Sequence, residues 1–156
     1  MRVSRIRRPH AIIFVAWALH IAAWLMPALN VFGFTIPGWQ AFFTACSVFW
    51  PDKNASYFAL IFGLSAITTL AFVVGSPLVT FRGSRSLRST LAWIASGAFI
   101  ANGWYVFGGF ETSELRVGCF FWWLSFAILA LGLFDLANQN DPGLVPHTDV
   151  LPERTA

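Results

Sequence analysis

Three histidines, two cysteines and seven acidic residues supply nearly all the proton, metal and redox chemistry open to this 156-residue chain. His20 lies inside the apolar run "AIIFVAWALHIAAWLMPAL". An imidazole in such a run could ligate haem or a metal, relay a proton, or hydrogen-bond across a helix interface. A metal site needs several ligands in fixed geometry. The other histidines are His10, at the edge of the same run, and His147, near the C-terminus. Neither pairs with His20, so no metal and no cofactor is expected. The plain account of His20 is an interhelical bond to Asn102 or to a hydroxyl among Ser65, Thr68, Thr69, Ser96 and Ser125. Such bonds are worth about 0.6 kcal/mol in membrane proteins. The functional account is that an ionisable group inside a membrane marks a site.

Cys46 and Cys119 are far apart in sequence and form no C-x-x-C pair, which argues against a thiol oxidoreductase. Two readings of them stand: a disulfide, or two free thiols packed as small apolar groups. Glu111 and Glu114 read as charges of a solvated loop, and Asp135 as a helix-end group within reach of water. The chain has no H-E-x-x-H and no phosphate loop. The first apolar run also lacks the embedded carboxylate that a small proton-coupled exporter needs. No catalytic residue is expected, and the chain reads as non-enzymatic.

The elements that hold these residues follow from composition. The chain is 57% hydrophobic, 17% aromatic and only 11% charged. Soluble domains carry about 25% charged residues. So short a chain could not hide this apolar surface from water, and its solvent is a bilayer. Four runs are long enough to cross one as helices, at residues 11–29, 57–81, 90–110 and 117–137. The expected fold is all-α, an integral membrane four-helix bundle. The first run follows arginines as a secretory signal would, but it is longer than a signal core and lacks a small-x-small cleavage site, so it is expected to stay.

Arg2, Arg5, Arg7 and Arg8 precede the first run, and Arg82, Arg85 and Arg88 separate the second from the third. Basic residues stay on the cytoplasmic side, so both termini are expected inside. These clusters are short and abut apolar segments, which excludes a nucleic-acid role. Lys53 is the single lysine among ten basic residues. Such an arginine bias fits a GC-rich bacterial genome, so a bacterial inner membrane is the expected location. Residues 138–156 hold Pro142, Pro146 and Pro152 and read as an irregular cytoplasmic tail.

The connection "GFTIPGWQAFFTACSVFWPD" is too apolar for an ordinary loop. Read as a helix over residues 37–50, capped by Thr35, it places Trp39, Phe42, Phe43, Cys46, Phe49 and Trp50 at i, i+3, i+4, i+7, i+10 and i+11. That is one face of a helix too short to span, an extra amphipathic interfacial helix between helices 1 and 2. It could cap its own bundle. It could also wall a site for an apolar ligand such as a lipid or quinone, or dock a partner's membrane helix. The layout is superficially similar to the claudin class, with a longer first outer loop. That class carries two cysteines there after a tryptophan motif, whereas this chain has Cys46 alone and no strand-like alternation. The likeness therefore implies no function.

With much aromatic surface and little chemistry, the leading expectation is an accessory or structural subunit, or a scaffold, of a membrane complex. Its partners would be other membrane subunits or a second copy, besides the bilayer. The alternative is a binder of a lipid or quinone at the outer leaflet, through Trp39, Phe42, Phe43, Phe49, Trp50, His20 and Asn102. A transporter or enzyme using His20 ranks last. Small residues four apart, Ala59/Gly63 and Gly97/Ala101, mark places for close helix approach.

Overall fold

Pro27, Pro37 and Gly83 fall at helix boundaries in the computed structural model. It describes residues 3–31, 33–46, 57–104, 106–107 and 115–139. Helix α1 (Val3–Leu25) stops just before Met26, whose helical conformation is disfavoured by Pro27. Two strands follow, β1 (Pro27–Val31) and β2 (Phe34–Pro37). They pair antiparallel, with Val31 opposite Phe34 and Pro27 opposite Pro37. Gly33 turns the ribbon at φ 82°, a conformation that costs glycine little. Both prolines sit at the open end of the ribbon, where a missing N–H removes little pairing. Leu29 also bridges to Leu115.

Helix α2 (Gly38–Cys46) starts directly after β2. Helix α3 (Tyr57–Leu70) continues through a π-helical turn (Ala71–Gly75) into α4 (Ser76–Arg82). Pro77 has no N–H to return to the preceding turn, and the widened turn lies just before it. The Ser76 backbone N–H and hydroxyl both donate to the Phe72 carbonyl, the hydroxyl at 2.5 Å. Gly83 and Ser84 reverse the chain. Ser84 Oγ then accepts the Leu87 N–H at 3.3 Å at the start of α5 (Arg85–Trp104). Helix α6 (Val117–Asn138) is last.

The molecule is mostly helical. Among the described residues, three helical stretches are long and apolar enough to cross a membrane: Arg8–Leu25, Phe62–Arg82 and Val117–Asn138. Helix α5 is not among them, because Arg85, Ser86, Arg88, Ser89 and Thr90 occupy its first turns. The expected third span, 90–110, runs on into residues outside the description.

Three local expectations need correction. The first predicted span (11–29) ends early: its helix stops at Leu25, and its last residues belong to β1 of a short two-stranded ribbon in a mostly helical chain. Thr35 is a strand residue and does not cap the short helix. That helix begins at Gly38, and residues 47–50 of its expected range lie outside the description.

Helix α6 packs between α1 on one side and α5 on the other. In lipid no hydrophobic force drives helices together, so close packing and interhelical hydrogen bonds must do so. The buried stripes accordingly use small residues: Ala16 and Ala23 on α1, and Ala92, Ala95 and Ala98 on α5. Gly132 of α6 lets α1 approach so closely that a Cβ there would lie 2.7 Å from Ile13 Cγ1. Phe72, Phe126, Leu129 and Leu133 fill the remaining volume.

Candidate functional site

The ribbon end of the helices leaves a cavity of about 90 Å³, and small residues make the room. Helix α2 lies across the end of α1 because Gly38 has no side chain to strike the Ala23 carbonyl. Gly118 brings α6 under the ribbon, where a Cβ would lie 2.7 Å from the Pro27 oxygen. Between these contacts, α1 contributes Ala23 and Trp24 to the wall. Helix α2 contributes Gly38, Ala41, Phe42 and Ala45, and α3 contributes Phe62, Ser65 and Thr69. Cys119 and Trp122 of α6, with Leu29 and Leu115, complete it. Trp24 stacks on Phe42, ring centroids 5.3 Å apart, and holds α2 to α1. Among the described residues, the wall has two hydroxyls and one thiol but no charged group. Such a lining suits an apolar occupant.

One bond crosses the cavity's deep end. Trp122 Nε1 donates to Thr69 Oγ1 at 3.0 Å, joining α6 to α3. One helical turn deeper lies His20, 3% exposed. The spacing agrees on all three helices: His20 is three residues before Ala23, Ser125 is three after Trp122, and Phe72 is three after Thr69. His20 stacks on Phe72 at 4.0 Å and meets Phe126 edge-on at 5.8 Å. Its Nδ1 is 2.9 Å from Ser125 Oγ. The Ser125 hydroxyl donates its one proton to the Trp122 carbonyl at 2.6 Å, so it has only lone pairs left for the imidazole. With the Ser125 proton assigned to that carbonyl, the neutral tautomer that fits carries its hydrogen on Nδ1 and leaves Nε2 as an acceptor. Nε2 is buried without a hydrogen-bond partner. Deeper still, Trp17 Nε1 donates to Ser76 Oγ at 2.8 Å.

The residues singled out by sequence divide. Phe42 lines the cavity, and Cys119 is buried in its wall. Trp39 and Phe43 lie on the outward side of α2, 44% and 63% exposed. The inward positions of α2 are instead Gly38, Ala41, Phe42 and Ala45, at i, i+3, i+4 and i+7. Phe49 and Trp50 lie outside the described residues. Asn102 does not reach His20; its Nδ2 donates to Thr68 Oγ1 at 3.2 Å, joining α5 to α3. The hydroxyl partner of His20 is Ser125. Cys46 and Cys119 are both free thiols.

Sequence reasoning passed over Ala23, Trp24, Ala41, Ala45, Phe62 and Trp122. The signal was present in α2 as small residues at helical spacing, but bulky aromatics drew attention to the opposite side. Among the described residues no group of three or more His, Cys, Asp or Glu could hold a metal. No family model matches the chain, and no curated protein or solved structure matches it.

Proposed function

We propose that the protein is a small multi-pass protein of a bacterial inner membrane that binds an apolar molecule at the outer end of its helices. In this reading α5 makes the fourth crossing of a four-helix bundle, both termini are cytoplasmic, and α2 lies in the outer interface. The observation that carries it is the apolar cavity under α2, walled by Trp24, Phe42, Phe62 and Trp122. Four aromatic rings and six alanines or glycines line the space, and apolar cavities of this order take up apolar guests. A cavity of about 90 Å³ suits part of a lipid chain or one small ring rather than a whole lipid.

Mass spectrometry of the protein purified in mild detergent tests the proposal. A copurifying lipid or isoprenoid is expected. It should fall at least about tenfold in Ala41→Leu, which fills the space, while the fold is kept. Protein that purifies empty, or unchanged ligand content in Ala41→Leu, would overturn the reading.

The second reading, an accessory subunit or homo-oligomer, is favoured by α5. Gly97 and Ala101 are exposed there beside Trp93 and Ile100, and a Cβ at Gly97 would meet nothing within 4 Å. A helix outside the bundle could approach that face closely. Native mass spectrometry of wild type and Gly97→Leu tests it. A heteromer or dimer that the substitution dissociates is the expected result, and a monomer in both contradicts it.

A further inference from the structure

We propose that His20 is the polar anchor of this site, so that its ligand is an apolar molecule ending in a hydrogen-bond donor such as an alcohol. The proposal rests on the cavity reading and names the chemistry of the occupant.

The argument starts from an unmet bond. His20 is only 3% exposed, and its Nε2 has no partner. A buried polar group left unpaired costs about 1–3 kcal/mol. Ser125 commits its hydrogen to the Trp122 carbonyl, so Nδ1 donates to Ser125 and Nε2 can only accept. The missing partner is therefore a donor. An ether, an ester carbonyl or a hydrocarbon cannot satisfy it, whereas a hydroxyl can.

Position supplies the second part. On α1, on α6 and on the stretch from α3 into the π-helical turn alike, the His20 layer is one turn, about 5 Å, below the cavity wall. The barrier between them is a side-chain bond, Trp122 Nε1 to Thr69 Oγ1. The proposal requires the Trp122 indole to turn, breaking that bond, for an occupant of the cavity to reach the imidazole. The occupant thus has an apolar body against Trp24, Phe42 and Phe62 and a hydroxyl against Nε2. Phe72, stacked on the ring from the π-helical turn, holds the imidazole plane in place.

The test uses 1-dodecanol and dodecyl methyl ether, which share a chain and differ in the donor. Each is titrated into the full-length protein in phosphatidylcholine nanodiscs. Bound copies are counted by native mass spectrometry, and the rise in Tm with concentration serves as a second readout. Wild type is expected to bind the alcohol at least about tenfold more tightly than the ether. His20→Leu should abolish that preference and retain weak binding of both chains. His20→Gln, whose amide oxygen accepts, should keep alcohol affinity within about threefold of wild type. Equal binding of alcohol and ether by wild type overturns the proposal without recourse to any variant. A preference that survives in His20→Leu overturns it too, because Thr69 or Ser65 would then be the anchor. Saturable but indifferent binding sinks His20 and leaves the cavity reading standing. Binding of neither probe sinks both.

Discussion

At the scale of single residues, the same change has opposite consequences at two glycines. A methyl group at Gly118 would press on the carbonyls of Pro27, Met26 and Ala23 at 2.7, 3.0 and 3.1 Å. These are backbone atoms that cannot swing aside, so Gly118→Ala should cost about 1–3 kcal/mol. At Gly97 nothing lies within 4 Å, and Gly97→Ala should be neutral or stabilise by about 0.5–1 kcal/mol in a protein that is monomeric. Denaturant titration in detergent, read by circular dichroism, compares them directly. The Trp122–Thr69 bond is likewise measurable. A double-mutant cycle of Trp122→Phe and Thr69→Val should give a coupling of about 0.6–1.7 kcal/mol. A coupling near zero would mean the bond contributes nothing to closing the cavity's deep end.

At the scale of elements, two joints hold the site together. Ser76 ties the π-helical turn to α1, since its hydroxyl donates to the Phe72 carbonyl and accepts from Trp17 Nε1. Ser76→Ala removes both bonds from a fully buried position and should lower stability by about 1–2 kcal/mol. The second joint is α2 across the end of α1. Gly38→Ala places a Cβ against the Ala23 carbonyl and must lift α2. Cys119, buried in the cavity wall beneath α2, reports the change. Its maleimide labelling should rise by about tenfold if the lifted state becomes dominant, since reaction follows the open population. Unchanged labelling of Cys119 would show that α2 covers nothing. The amphipathic pattern of this helix was legible in its spacing. Which side faces in was not, because Gly38, Ala41 and Ala45 fit against α1 and α3 while Trp39 and Phe43 are too large to do so.

At the scale of the whole molecule, the arginines of the α4–α5 turn and the ribbon lie at opposite ends of the helices, with Arg116 beside the ribbon. Arg82, Arg85 and Arg88 lie at the turn between α4 and α5, and the ribbon lies at the far end of α1. The proposed topology puts the first group in the cytoplasm. In a background without Cys46 and Cys119, Thr35→Cys should react with a membrane-impermeant maleimide in intact cells. Ser86→Cys should react only after permeabilisation. Both residues are exposed, so failure to label reflects sidedness rather than burial. Labelling of both from outside would overturn the orientation.

Composition and apolar run length were enough to specify a helical membrane protein, because bilayer thickness and the need to pair every backbone group leave few alternatives. The buried position of His20 in an apolar helix was also legible, and so was the need for an interhelical partner. The identity of that partner was not. Asn102 and Ser125 looked equally suitable by residue type, and only the rotation of α5 and α6 about their axes sends Asn102 to Thr68 and Ser125 to His20. The ribbon escaped notice because its strands are short: they turn at Gly33, and β1 meets Leu115, distant in sequence, through a bridge from Leu29. The cavity is likewise a tertiary product. It exists because glycines at 38 and 118 bring two backbones together at the ribbon end, and no periodicity along one segment records what two distant segments leave unfilled.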